Sequence, residues 1–411
     1  MRFTKHLSVV GVAAAALALA ACSGVGGATD GSGGSEPVST SAATGTPIKV
    51  GFLNQGSGAL AFPDFGTGGT VGIEQVNADG GIKGQPIDLV VCNVDGTPAA
   101  SVKCANQFVD DGVVAVIQGI DLSSDTALEI LAGAGIPFIG HTPFGAAQTN
   151  SPNAWFFGAA PGAFYGVPLK TLKDEFGVKT VAFLNPDSPV TRSVADASLD
   201  PAAEALGVTV TKNFYNPTSP NYTAAFASAV ADDPDAVFMI APEPDCTAFV
   251  QAARTLGYQG EIFAGSCGQF VTADPAAAEG VLSDSDLYVP DDTSSIPAEA
   301  GEQIASYRKA VEGQPAANVT NFTQMTYSTM QDFATVARSI DGEVTPESLT
   351  TALKAVSGVD SFMGQPLTCD GEQWPDSISI CAPGLLVYSV EGGTLKPVSG
   401  EFVDIATLYE N

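Results

Sequence analysis

Ile48-Lys49-Val50-Gly51-Phe52-Leu53 is a short apolar run, and Ile87-Asp88-Leu89-Val90-Val91-Cys92 is a second. Between them a helical stretch from Phe65 to Asn77 closes on Asp79-Gly80-Gly81. Two such runs joined through a helix and a glycine turn predict a parallel βαβ unit. The pattern then repeats. Helices are predicted at Ser101 to Asp110 and Asp125 to Ala132, with strands at Val113 to Gln118 and Pro137 to Ile139.

A second set begins near Pro161. Helices are predicted at Gly162 to Phe176, Thr191 to Leu206, Thr223 to Ala231 and Asp245 to Leu256. Strands are predicted at Lys179 to Leu184, Val208 to Phe214, Ala236 to Ile240 and Glu261 to Ala264. Helices near Ala298–Val311, Thr326–Ser339 and Pro346–Ala355 and a last strand at Gly384 to Val390 complete the expectation. The fold class read from this is α/β, with two doubly wound Rossmann-like lobes in tandem. Open α/β sheets bind ligands beyond the carboxyl ends of their strands. The informative segments are therefore 54–65, 119–126, 140–145, 185–191, 241–245 and 265–269.

The chain opens with the marks of export. Arg2 and Lys5 precede an apolar stretch from Leu7 to Leu19, which ends at Leu19-Ala20-Ala21-Cys22. Charge, apolar core and small residues make a secretory signal over residues 1–21. Cys22 after small residues has the form of a bacterial lipobox, in which the thiol takes a diacylglycerol. The apolar stretch is shorter than the ~18 residues of a spanning helix, and no later segment is long and apolar enough to span. Residues 22–46 are rich in Gly, Ser, Ala and Thr and are expected to be a flexible tether. Residues 47–411 exceed one ordinary core, so two domains are expected.

The formal charge is −29, and removing residues 1–21 takes away Arg2 and Lys5 and no acid. So acidic a body excludes nucleic acid as a natural partner, because phosphate contact needs Lys and Arg. Apart from Cys22 there are six cysteines: Cys92, Cys104, Cys246, Cys267, Cys369 and Cys381. Their proximity in sequence suggests the pairs Cys92–Cys104, Cys246–Cys267 and Cys369–Cys381, each stabilising by about 3 kcal/mol. The rival reading is a metal site. It lacks support, since there is no C-x-x-C spacing and His141 is the only histidine left after the signal.

The strand Ile48–Leu53, followed by Asn77-Ala78-Asp79-Gly80-Gly81-Ile82-Lys83-Gly84, resembles the branched-chain amino-acid-binding proteins of ABC importers. Val116-Ile117-Gln118-Gly119 with Ser123-Ser124, and Ala134-Gly135-Ile136-Pro137-Phe138-Ile139, extend the likeness. So do Asp235-Ala236-Val237-Phe238 and Ala252-Ala253-Arg254-Thr255-Leu256-Gly257. The resemblance covers nearly all of 47–411. It implies a type I periplasmic-binding fold with a three-strand hinge. Lobe 1 is then expected at 47–160 and 292–375, lobe 2 at 161–291, and a C-terminal crossover with lobe 2 strands at 376–411.

The resemblance also implies a site. Leu122, Ser123 and Ser124 fall where the family binds the ligand carboxylate, at a helix N-terminus that favours an anion, although Thr126-x-x-Glu129 also has the form of a capping box. Thr142 and Phe144, with His141 alongside, fall on the next contact segment. Phe62 stands near a family aromatic, and Ser188 and Glu243 fall in lobe 2 contact loops. Where the family commonly places an acid for the ligand ammonium, this chain has Gly265-Ser266-Cys267-Gly268. Asp121, Asp125 or Glu243 are the candidates to replace it. The family needs no cofactor, and its partners are ABC permease and ATPase subunits. The expected function is thus capture of a small molecule, such as a branched-chain or other amino acid, by a lipid-anchored extracytoplasmic protein. The alternatives are aromatic or aliphatic carboxylates or amides as ligands, or a ligand-sensing ectodomain. An enzyme is not expected: there is no G-x-S-x-G or G-x-x-x-x-G-K-[ST] motif, and Gly66-x-Gly68 fails as a dinucleotide pattern at Val71.

Overall fold

The computed structural model describes residues 42–58, 61–289 and 296–409. The signal stretch, Cys22 and most of the expected tether lie outside the described residues. The tether's last residues do not behave as tether: Ala43 N–H donates to the Asn77 carbonyl, and Thr44 and Gly45 N–H donate to that of Gly84.

The first sheet has strands β1 (Ile48–Asn54), β2 (Ile87–Asn93), β3 (Val116–Gln118), β4 (Phe138–Gly140) and β5 (Ala154–Phe156), all parallel, in the order β2-β1-β3-β4-β5. Its helices are α1 (Pro63–Ala78), α2 (Pro98–Asp111), α3 (Asp125–Gly133) and the short α4 (Ala146–Thr149). Sequence-local chemistry sets their ends. In α2, for example, Pro98 opens the helix and the Thr97 hydroxyl accepts from Ala100 N–H.

The second unit runs α5 (Ala163–Phe176), β6 (Thr180–Pro186), α6 (Pro189–Leu206), β7 (Thr209–Tyr215), α7 (Tyr222–Ala229), β8 (Ala236–Ile240), α8 (Glu243–Leu256), β9 (Glu261–Gly265), α9 (Gln269–Ala273), α10 (Pro275–Ala278) and β10 (Leu282–Ser285). There follow α11 (Ala298–Ala310), α12 (Asn321–Ser339), α13 (Pro346–Lys354) and a small ribbon of β11 (Ser357–Val359) and β12 (Leu367–Thr368). The strands β13 (Leu386–Glu391) and β14 (Thr394–Pro397) complete a sheet ordered β14-β13-β10-β9-β8-β6-β7. β6 to β10 are parallel, and β13 and β14 are antiparallel additions at one edge. In both sheets the strand order reverses beside the first strand of the unit, which is where doubly wound folds place ligands.

The described chain passes between the sheets after β5, after β10 and before β13. At the first crossing Ile380 pairs with Phe156, so the last crossing runs alongside it. Buried Phe138 and Phe156, Ala159 and Ala160, and Phe183 and Phe238 form one apolar cluster that passes through the hinge. The predicted disulfides Cys92–Cys104, Cys246–Cys267 and Cys369–Cys381 are all formed.

Helix α12 lies on α1 in the first lobe, where Met330, Phe333 and Ala337 share a core with Val50, Phe52 and Val76. The approach is close because α1 presents glycines. A Cβ at Gly68 would collide with the Thr323 carbonyl oxygen, and one at Gly72 would stand 2.9 Å from Met330 Cβ. Gly68→Ala should therefore lower the unfolding free energy by about 1–3 kcal/mol, although Ala favours a helix by about 1 kcal/mol over Gly. Gly66→Ala, whose Cβ would meet nothing nearer than 3.5 Å, should be neutral or stabilising. Urea denaturation of both variants measures the contrast, and equal effects would remove the close-packing explanation.

Candidate functional site

The loop after β3 spends its polar groups on itself. Asp121 is fully buried: Oδ2 accepts from Ser101 Oγ at 2.5 Å and Oδ1 from Ser123 N–H at 2.9 Å. Burial raises its pKa, against the lowering effect of those two bonds. Ser123 Oγ donates to the Gly96 carbonyl at 2.8 Å. Ser124 Oγ donates to the Asp121 carbonyl at 2.6 Å and accepts from Gln148 Nε2 at 2.7 Å. The hydroxyls expected to meet an anion are thus engaged within the protein. The Leu122 side chain is half-exposed, and its N–H donates to Gln55 Oε1. The expected capping box is not made: α3 begins at Asp125, and Thr126 Oγ1 donates back to the Ser123 carbonyl. Asp125 accepts a long 3.4 Å bond from Gln148 Nε2.

His141, after β4, is a hinge residue. Its ring is 3 % exposed, with Nε2 at 2.9 Å from Asp286 Oδ2 and Nδ1 at 3.3 Å from Thr329 Oγ1 of α12. The first is an ion-pair distance whose N–H alignment falls short of a hydrogen bond. Asp286 Oδ2 also accepts from Ala159 N–H, so two crossings and the β4 loop meet on one carboxylate. Thr142 Oγ1, beside it, is buried and has no hydrogen-bond partner among the described residues. Phe144 is 42 % exposed, and Phe62 packs edge-on against Phe65 and Phe322. The Ser188 hydroxyl is the reciprocal cap of α6 with Thr191.

Glu243 is the predicted residue that lines a cavity of about 220 Å³ beyond the ends of β9 and β10. The cavity is walled on one side by Ser266, Cys267, Gly268 and Asp284, and on the other by Tyr307, Thr320, Asn321 and Gln324 of the α11–α12 region. Its geometry follows from the β9 loop. The Glu243 carboxylate accepts from Gly268 N–H at 3.0 Å and Gln269 N–H at 2.9 Å, the Cys246–Cys267 disulfide joins the loop to α8, and Ser283 Oγ donates to the Cys267 carbonyl. Burial raises the Glu243 pKa, opposed by the two N–H donors. Ser266 sits at φ +54°, a conformation unusual outside glycine.

Asp284 and Asn321 are the residues that reading the sequence missed. Asp284 is 3 % exposed: Oδ1 accepts from Ser266 N–H at 2.6 Å and Ser266 Oγ at 3.2 Å, while Oδ2 is buried with no partner among the described residues. Both polar atoms of the Asn321 side chain are buried in the same condition. The available signal was Leu282-Ser283-Asp284-Ser285-Asp286, acids at alternate positions between apolar flanks. Among the described residues no group of His, Cys, Asp or Glu could hold a metal ion.

A family model described as periplasmic binding protein matches residues 47–373. No curated protein matches the sequence. Solved structures share the fold at low identity. The branched-chain amino acid transporter substrate-binding protein of Streptococcus pneumoniae, in complex with isoleucine, is 19 % identical with a TM-score of 0.68, over 88 % of this chain and 100 % of that one. A fatty acid ABC transporter substrate-binding protein from Thermomonospora curvata is 17 % identical with a TM-score of 0.68, over 90 % and 95 %. An extracellular ligand-binding receptor from Verminephrobacter eiseniae is 16 % identical with a TM-score of 0.70, over 85 % and 100 %.

Burial pushes the Asp284 carboxyl up to about 7 from its ordinary 3.8, with Asp286 adding to the rise and the Ser266 bonds opposing it. Between those values the folded protein holds a proton that the unfolded chain has lost, so this group's contribution to stability falls as pH rises and levels off above about 7. Asp284→Asn keeps the acceptor for Ser266 and does not ionise. Relative to the parent it should gain stability between pH 5 and 8, by on the order of a few kcal/mol. Denaturant melts across that range measure this, and a difference that stays flat with pH would contradict it.

Proposed function

The chain belongs to the periplasmic binding protein family, and from that premise we propose that it is a lipid-anchored solute-binding protein that delivers a small molecule to an ABC importer. One observation carries the proposal. The second doubly wound sheet turns the ends of β8, β9 and β10 toward a cavity that the α11–α12 region walls on its other side, and the two sheets are joined through a hinge whose crossings meet on Asp286. Such an arrangement captures solute by closing around it. A cavity of about 220 Å³ suits a solute of amino-acid size, below the ~300 Å³ at which drug-sized sites begin. The structural neighbour that holds isoleucine supports a ligand of that scale.

The family places the body outside the cytoplasm. For the rest of the route we read residues 1–21 as a signal, Cys22 as the acylated residue and the following stretch as tether. Permease subunits receive the closed form, and their ATPases supply the energy. Catalysis is not part of the proposal. Thr329, His141 and Asp286 have the order of a nucleophilic triad, but Thr329 is buried in α12 and its hydroxyl already donates to the Met325 carbonyl at 2.9 Å.

A solute at ~100 times its Kd should raise the unfolding free energy by about 2.7 kcal/mol and shrink the radius of gyration in solution scattering. Stabilisation without compaction across a solute library would count against closure. Cys22→Ser in the full chain should move the protein from the membrane fraction to the soluble fraction, and unchanged fractionation would remove the lipid anchor from the proposal.

A further inference from the structure

Resting on the binding-protein reading, we propose that Asp284 and Asn321 form the polar end of the cavity and select a small solute with a primary ammonium group and no required carboxylate. The two residues come from opposite walls: Asp284 from β10 of the second sheet and Asn321 from the first turn of α12. Asp284 Oδ2 is buried without a partner among the described residues, and so are both Asn321 side-chain atoms. Groups in that condition destabilise the site by about 1–3 kcal/mol each until something bonds them. An ammonium donates three hydrogens and carries the charge that a carboxylate at Asp284 complements.

The same wall disfavours an anion. Among the described lining residues there is no Lys, Arg or His, whereas Glu243 and Asp284 both lie there. The backbone N–H groups that would cradle a carboxylate, those of Gly268 and Gln269, are already held by the Glu243 carboxylate. Ser123 and Ser124, which the family resemblance assigns to a ligand carboxylate, spend their hydroxyls on Gly96, Asp121 and Gln148. What remains is an acidic, partly apolar box, with Val289, Tyr307 and Tyr388 offering the apolar surface. The raised pKa of Asp284 agrees with this, since a buried acid awaiting a cation holds a proton until the cation arrives.

The test uses probes that share one branched aliphatic chain and differ in the head group: 3-methylbutylamine, leucinamide, leucine, 4-methylpentanamide and 4-methylpentanoate. Titration calorimetry on the disulfide-intact protein should show binding of the ammonium-bearing probes and none of 4-methylpentanoate. Asp284→Asn should weaken leucinamide at least ~10-fold, a loss of about 1.4 kcal/mol, while folding at least as stably as the parent. Asn321→Ala should weaken it also. Binding of 4-methylpentanoate as tight as that of the amine would overturn the assignment, as would amine binding that survives Asp284→Asn but fails in Glu243→Gln. Closure around a solute without an N–H group, unaffected by Asp284→Asn, would overturn it while leaving the binding-protein reading intact. If no solute of a broad library binds, both fall.

Discussion

The hinge turns on one buried carboxylate, that of Asp286. It lies where the chain leaves β10 for the first lobe, and it meets the Ala159 N–H on the first crossing and the His141 ring after β4. Isolated in the interior, such a charge would be strongly unfavourable; paired and hydrogen-bonded, it fixes a register between segments far apart in sequence. Asp284 stands two positions earlier, on β10 itself. Asp284 bonds the β9 loop through Ser266, and Asp286 stands at ion-pair distance from His141 of the β4 loop. One five-residue segment, Leu282-Ser283-Asp284-Ser285-Asp286, thereby brings the loop after β9 and the loop after β4 to the hinge.

The surroundings hold that segment in place. Tyr288 N–H donates to the Met363 carbonyl, Gln324 Nε2 donates to the Tyr288 carbonyl, and the Tyr388 hydroxyl accepts from Val289 N–H. Gln324 can reach because α12 lies tightly on α1, and it lies tightly because Gly68 and Gly72 leave room for its backbone. The glycines that weaken α1 as an isolated helix are what allow the cavity's first-lobe wall to form.

The alternation of apolar runs and helices made the doubly wound lobes legible, because parallel strands buried on both faces leave a strong local trace. The cysteine pairs were legible from proximity alone. The edges of the site were not. Helix α12 was expected from Thr326 but begins at Asn321, because its cap is Thr320 paired with Thr323, a hydroxyl where the familiar capping box has Glu or Gln. Strand β10 carries Ser and Asp, which read as loop; its pairing with β13 and β9 and the bonds to Ser266 and Cys267 hold it as a strand. The Ser123 and Ser124 hydroxyls looked available for a ligand because sequence shows which groups can donate and not which are already taken. Their acceptors, Gly96 and Asp121, come from neighbouring turns.

These partnerships bear on how a solute could bias closure. A ligand shifts a two-state equilibrium only by its difference in affinity for the two states. Contacts confined to one lobe are kept when the cleft opens and contribute nothing to that difference. Two groups without partners among the described residues, however, stand on opposite walls of the cavity: Asp284 on the strand leading into the hinge and Asn321 at the head of α12. A ligand bonding both loses one when the walls part, so the lost bond, about 0.5–3 kcal/mol, counts almost wholly toward the closed form. At the upper end of that range one such bond moves a balanced equilibrium by about two orders of magnitude. Selectivity and closure then have the same source, because a solute that cannot satisfy both walls also cannot hold them together.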